Sequence, residues 1–298
     1  PNNYKSYVNS YPKAISIQQP KAILSIPLSL DNKVMGVLGV VASEADKLTN
    51  YQVEFIQSIS TYLVVAIENS RIHELVDVER KKADGLLLNI LPENVANDLK
   101  NQGLFEPKEY KNASILFTDF VGFTELSSRL TPAELITELN HVFKAFDRIC
   151  LAHGLEKIKT IGDAYMAAIG IKEQNQSIEK MASYNANNMV TAALKMQEFT
   201  EQRYRDRVNE GLPALRMRCG INTGTVVAGI VGETKFQYDI WGDAVNTASR
   251  MESNGVVGKV NITEATYLLL KDNNNLNFEP RSEIEIKGKG KMKMWLTG

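Results

Sequence analysis

From Asn50 to about Leu91 the apolar residues recur at steps of mostly three or four, from Val53, Ile56 and Ile59 through to Leu87 and Ile90. That spacing predicts one face of a long helix. A stripe this long asks for a partner helix, and the highly charged stretch 74–84 in its middle reads as an exposed linker or coiled coil rather than core. Pro92 ends or kinks the element. Ahead of the helix, residues 22–30 and 33–41 are two β-rich runs around the polar turn Asp31-Asn32-Lys33, a hairpin signal.

Beyond Ser114 the pattern changes. Short β-like runs at 114–117, 155–159, 164–169, 215–221, 225–230, 260–262 and 283–287 alternate with amphipathic helical stretches at 132–152, 181–201 and 242–252. Hairpin-linked and helix-crossed strands together predict an α+β unit with an antiparallel or mixed sheet, not a regular βαβ array.

The 298 residues suffice for more than one buried core. A formal net charge of -1 argues against a general polyanion binder, so no nucleic-acid partner is expected and local charge must carry any phosphate chemistry. Cys150 and Cys219 each sit inside an apolar pattern and read as reduced, buried thiols. No apolar run approaches the ~20 residues of a membrane-spanning helix. The start, Pro1-Asn2-Asn3-Tyr4, lacks secretory features, and a cytoplasmic protein is expected. The Asn-x-Ser/Thr triplets at Asn112, Asn175 and Asn261 then carry no meaning.

Two aspartates open the chemistry. Asp119 closes an apolar run, and Asp163 lies in a hairpin turn between two others. Carboxylates at strand ends are placed to bind a hard cation such as Mg2+, although either one alone would more often cap a turn. Gly122, Phe123 and Thr124 open the next helical segment, where backbone N–H groups can hold a phosphate, but the spacing and lysine of a P-loop are missing. Gly220, Gly224, Gly229 and Gly232 do not form a dinucleotide fingerprint; they read as allowing a tight turn and close strand contact. Arg218 just before them can meet phosphate oxygens through its fork of donors. The helical step of four puts Asn246 and Arg250 on one face, where they can address one ligand.

Three segments carry a resemblance: Phe117-Thr118-Asp119-Phe120-Val121-Gly122-Phe123-Thr124, Lys157 to Met166, and Tyr238-Asp239-Ile240-Trp241-Gly242 through Asn246 to Met251. With Arg218-Cys219-Gly220-Ile221-Asn222-Thr223-Gly224 and Ile286-Lys287-Gly288-Lys289-Gly290, they closely resemble the catalytic domain of class III adenylate and guanylate cyclases. The N-terminal stretch of about seventy residues, through Ile26-Pro27-Leu28, Val34 to Val40 and Ala66 to Asn69, resembles the second half of a GAF sensor domain, and residues 86–96 look like the short transducing helix that joins sensors to such catalytic domains. The implied organisation is a partial α/β GAF-like domain at 1–70, a helical signalling linker at 71–107 and a ferredoxin-like α+β cyclase domain at 108–298.

The resemblance also implies roles. Asp119, Asp163 and the backbone carbonyl of Phe120 would hold two Mg2+ ions per site, with Mn2+ a possible replacement. Gly122 to Thr124, Arg218 and Lys287 would face the triphosphate, with Lys289 a weaker substitute for Lys287. Asn246 would orient the ribose, and Arg250 would stabilise charge at the α-phosphate. Lys159 and Asp239 would read the base: adenine accepts at N1 and donates from N6, which matches ammonium and carboxylate. The two could also simply pair with each other. ATP is thus the expected substrate and a homodimer with shared sites the expected assembly, the metal and base-reading residues on one subunit and Asn246 and Arg250 on the other. A guanylate cyclase, or a nucleotide-binding signalling module without turnover, is the alternative. The signal received upstream is not encoded in these motifs.

Overall fold

The computed structural model describes residues 21–31, 33–172, 178–286 and 288–298. The chain divides into two compact units, Pro1–Asn89 and Ile90–Gly298.

In the first unit, β1 (Ala22–Leu30) and β2 (Lys33–Ala42) pair antiparallel as the alternation predicts, from Ala22 opposite Ala42 to Leu30 opposite Lys33. Asn32, in the expected turn, lies outside the described residues. Helix α1 (Asn50–Leu88) follows, opened by a capping box in which the Thr49 backbone N–H donates to the Gln52 side chain at 2.9 Å. Only Ser60 and Val64 of this helix are buried, while Tyr51, Phe55, Tyr62, Leu75 and Leu86 stay exposed. Exposed apolar side chains stand along the helix both on the expected stripe, as at Ile67, Leu75 and Leu86, and off it, as at Tyr51, Tyr62 and Val65, so no single apolar face is set apart.

In the second unit α2 (Glu93–Gln102) stops at Gly103, whose φ of 72° makes the left-handed cap that glycine adopts freely. Then come β3 (Lys108–Val121), the short α3 (Phe123–Ser127), α4 (Pro132–Ala152), β4 (Glu156–Ile161), β5 (Ala164–Ile169), α5 (Ile178–Asn209) and β6 (Arg216–Val231). They are followed by β7 (Gln237–Trp241), α6 (Asp243–Ser253), β8 (Val260–Thr263), α7 (Glu264–Leu268), β9 (Glu279–Pro280), β10 (Ile284–Ile286), β11 (Gly290–Met292) and β12 (Met294–Thr297).

The main sheet runs β4-β5-β3-β6-β8-β12-β9, with β7 added to β6. All its pairings are antiparallel except β6 with β8, so the sheet is mixed, as expected. The order β3-α4-β4-β5-α5-β6 is the βαββαβ path of a ferredoxin-like fold. Alternation along the strands separates two faces. Leu116 and Phe120 of β3 and Met217, Cys219 and Ile221 of β6 join Val142 and Phe146 of α4 and Met189 and Met196 of α5 in one core. Asp119, Arg218, Gly220 and Gly224 alternate with these residues and look the other way, toward α6.

One expectation is corrected. The runs 215–221 and 225–230 are not two strands around a turn but the single strand β6. The turn-prone Asn222 and Thr223 are held extended by tertiary bonds. Asn222 donates from Nδ2 to the Ala244 carbonyl at 2.9 Å, and the Thr223 hydroxyl bonds those of Ser114 at 2.8 Å and Thr266 at 3.1 Å. The tight turn falls instead at Gly232, with φ 104°, where a Cβ would stand 2.3 Å from the Lys235 carbonyl oxygen.

Candidate active site

Asp119 of β3 and Arg218 of β6 are directly opposite in the antiparallel register. That places their side chains as cross-strand neighbours. Nη2 of Arg218 lies 3.2 Å from Oδ2 of Asp119 and also 3.2 Å from Oε1 of Glu252, on α6. Asp163, in the turn between β4 and β5, comes within hydrogen-bonding reach of Asp119. Burial and then the Asp119 charge hold the Asp163 carboxyl above its ordinary pKa, against the backbone hydrogen bonds that favour its charged form. Burial and then Asp119 also push Glu252 up to about 7, with Arg218 pulling the other way.

Asp119 thus has a second carboxyl, Asp163, on one side and shares the Arg218 guanidinium with Glu252 on the other. Among the described residues no three acidic, histidine or cysteine side chains converge as a metal cage, so a hard cation here would take its further oxygens from backbone, water or phosphate. The sequence-predicted Asp119 and Asp163 are brought together, and the Phe120 backbone beside them reaches the Asp163 carboxyl through its N–H. Gly122, with φ 76°, caps the short helix that carries Phe123 and Thr124 at the end of β3.

Helix α6 rests on β6 at two glycines. A Cβ at Gly220 would stand 1.9 Å from the Glu252 backbone nitrogen, and one at Gly224 would stand 2.8 Å from the Ala244 Cβ. No side chain fits between strand and helix there. Ala244, Ala248, Met251 and Glu252 form the buried side of α6. Asn246 and Arg250 are exposed. At about 100° per residue, Arg250 and Glu252 stand on opposite sides of the helix. Glu252 addresses the aspartate cluster of its own chain, so Asn246 and Arg250 face away from it.

Lys159 and Asp239 are brought together as a hydrogen-bonded ion pair, Nζ to Oδ2, with the Asp239 side chain 8% exposed. The other Asp239 oxygen accepts from the Ile240 N–H at 2.9 Å, which fixes the carboxylate. A β-bulge between Lys157 and Lys159 separates two lysines that alternation would place alike. Lys157 goes to Asp147 of α4 at 2.9 Å, and Lys159 to β7. Lys287 lies outside the described residues. Lys289 pairs with Asp243 at the start of α6. Cys150 and Cys219 are both buried thiols; burial pushes the first up to about 11 and the second well above its ordinary range.

Sequence reasoning missed Glu252. Its signal was an acidic residue two positions past Arg250, on the side of the helix that the Asn246–Arg250 spacing leaves for packing. Among the described residues no helix is long and apolar enough to cross a membrane.

The family model described as adenylate and guanylate cyclase catalytic domain matches residues 105–297, and a GAF domain model matches residues 2–68. An adenylate cyclase of Mycobacterium tuberculosis is 37% identical over 240 residues, 80% of this chain and 51% of that protein. A receptor-type guanylate cyclase of Caenorhabditis elegans is 40% identical over 236 residues, 77% of this chain and 20% of that protein. The chain therefore spans about half the length of the mycobacterial relative and less of the nematode one. Among solved structures, the catalytic core of a rhodopsin-guanylyl cyclase with converted specificity, in complex with ATPalphaS, superposes with a TM-score of 0.57 at 32% identity. It covers 65% of this chain and 98% of that one. The adenylyl cyclase CyaB from P. aeruginosa gives a TM-score of 0.59 at 28% identity, covering 65% of this chain and 96% of that one.

Proposed function

The chain belongs to the class III adenylate and guanylate cyclase family, and from that premise we propose that it is an adenylate cyclase making 3',5'-cyclic AMP and pyrophosphate from ATP at sites shared by two copies of itself. The observation that carries the choice of base is the Lys159–Asp239 pair. An ammonium and a fixed carboxylate side by side offer the donor and acceptor that adenine N1 and N6 require, and guanine presents the opposite polarity. In the free enzyme the two satisfy each other; adenine would slide between them and exchange one ion pair for two hydrogen bonds.

Asp119, Asp163 and the Phe120 carbonyl would hold Mg2+ or Mn2+, since their excess negative charge fits a hard cation. When bound, the metal lowers the pKa of the ribose 3'-hydroxyl and neutralises phosphate charge. The 3'-oxygen then forms a bond to the α-phosphorus, the bond to the β-phosphate bridging oxygen breaks, pyrophosphate departs and the hydroxyl proton leaves to solvent. Residues 122–124, Arg218 and Lys287 would seat the triphosphate. Asn246 would orient the ribose and Arg250 would meet charge on the α-phosphate.

Asn246 and Arg250 point away from their own aspartates, which supports a site completed by a partner. Asp239 is carried on the strand that leads into the same helix, and Lys159 is turned to it. In the assembly we propose, the base-reading pair therefore sits with Asn246 and Arg250 on one subunit, opposite the aspartates of the other. This moves the pair relative to the division expected from sequence. The exposed apolar side chains of α1 and the GAF match support regulation by the N-terminal sensor, in a cytoplasmic setting where ATP is abundant.

Steady-state turnover of ATP against GTP with Mn2+ tests this reading. Cyclic AMP is the expected product, with a preference for ATP of about a hundredfold or more in kcat/KM. Guanylate cyclases are also close relatives, so a preference for GTP would make the chain one of them. Absence of either cyclic product would leave a silent nucleotide-binding module.

A further inference from the structure

We propose that Glu252 is a positioning residue: it draws the Arg218 guanidinium off Asp119 and keeps it aimed at the triphosphate while Asp119 turns to the metal. The inference rests on the roles assigned above to Asp119 and Arg218. One nitrogen, Nη2 of Arg218, stands 3.2 Å from both carboxylates. Nη1 donates to the Ser253 carbonyl at 3.5 Å, a long bond. Nε is buried with no hydrogen-bond partner among the described residues, and so is Oε1 of Glu252, which touches the guanidinium as a charge without hydrogen-bond alignment. The hydrogen bonds of this arginine are thus only partly made, on a residue placed beside Asp119.

The backbone that carries the anchor is held close to the strand. Gly220, two residues along β6 from Arg218, lets the Glu252 backbone sit against the strand, closer than any Cβ would permit. The Glu252 side chain is 11% exposed, against 29% for Arg218 and 28% for Asp119. The arginine therefore meets the less exposed Glu252 carboxylate on its inner side and Asp119 toward its more open side. Without Glu252 the guanidinium would keep Asp119 as its only carboxylate and settle on it. Arg218 would then compete with the cation for Asp119 and be lost to the phosphates. With Glu252 in place, Asp119 can leave while the half-buried guanidinium keeps one carboxylate partner. The same helix presents Asn246 and Arg250 on its other side, so α6 supports a phosphate contact in one site and supplies groups to the next.

The test compares wild type, Glu252→Gln, Arg218→Ala and the double variant in the full chain. KM and kcat for Mn2+·ATP are measured together with calorimetric binding of Mn2+·3'-deoxy-ATP, which lacks the attacking hydroxyl. Glu252→Gln is expected to raise KM and to weaken analogue binding on the order of tenfold, with kcat lowered less than about threefold. In the Arg218→Ala background the same change should add less than about twofold, because its effect passes through the arginine. Glu252→Asp keeps the charge and should recover most of the binding; it carries the comparison if the glutamine variant does not fold. A kcat loss with unchanged KM and analogue binding, or full additivity with Arg218→Ala, overturns the positioning role. Wild-type protein that neither cyclises ATP nor binds the analogue defeats the functional reading first, and this inference with it.

Discussion

Two partly buried clusters of carboxylates and arginines in the catalytic unit reach opposite charge balances. Between α4 and α5, Glu138 accepts from Nε and Nη2 of Arg203 at 3.0 and 2.8 Å and from Nη1 of Arg207 at 2.8 Å. Nε of Arg207 is taken by the Pro213 carbonyl at 2.6 Å. Burial pushes the Glu138 carboxyl up, yet the two arginines overcome it and hold its pKa below the ordinary value. Around Asp119 the proportion is reversed: three carboxylates, one arginine, and pKa values raised at Asp163 and Glu252. A low-dielectric interior tolerates charge only when it is matched. The matched cluster holds two helices together and needs nothing more. The mismatched one leaves Asp163 and Glu252 holding their protons more tightly than usual, which is the charge deficit that the proposed cation would relieve.

That contrast predicts a double dissociation. Asp163→Ala should lower the rate of cyclic AMP formation by roughly a thousandfold or more, since metal assistance is lost. Its urea midpoint should stay at or slightly above wild type, because a like-charge neighbour of Asp119 has gone. Unchanged activity would remove Asp163 from the metal site. Glu138→Gln should do the reverse. It leaves Arg207 buried without its counter-ion and should cost about 3 kcal/mol in urea unfolding. Activity per folded molecule should stay within about twofold of wild type at low temperature. If Glu138→Gln were silent in stability, charge matching would not distinguish the two clusters.

The half of this comparison that concerns function was more legible in the sequence than the half that concerns structure. Asp119 and Asp163 announced themselves by sitting where apolar runs end, a local signal. Lys159 and Asp239 are 80 residues apart, and only the family resemblance joined them before the fold did. The continuous β6 was hidden because Asn222, Thr223 and Gly224 carry strong turn chemistry, overridden by bonds to Ser114, Ala244 and Thr266 that no local window contains. Glu252 and Glu138 were invisible for a related reason. An acidic residue on an amphipathic helix reads as solvated until the opposing arginine, 34 residues before Glu252 or 65 and 69 after Glu138, is brought to it.

The smallest effect is the sharpest test of charge balance itself, because it needs no catalysis. In metal-free protein Glu252 has a folded pKa of about 7 against an ordinary value of 4.5, and Asp163 is shifted in the same direction. A folded pKa above the unfolded one means that the native state holds its proton more tightly. The stability this confers is fully present below the unfolded value and is lost as pH rises through the folded one. Unfolding free energy in a chelator should therefore fall by about 1 kcal/mol between about pH 5.5 and about pH 8, in the window where Glu252 ionises. Glu252→Gln should flatten most of that slope. Glu138 makes the opposite contribution, present above its unfolded value and lost only at more acid pH, so Glu138→Gln should lower the whole curve without changing its slope in this window. A wild-type profile that is already flat, or one that rises with pH, would mean that the aspartate cluster is not short of positive charge.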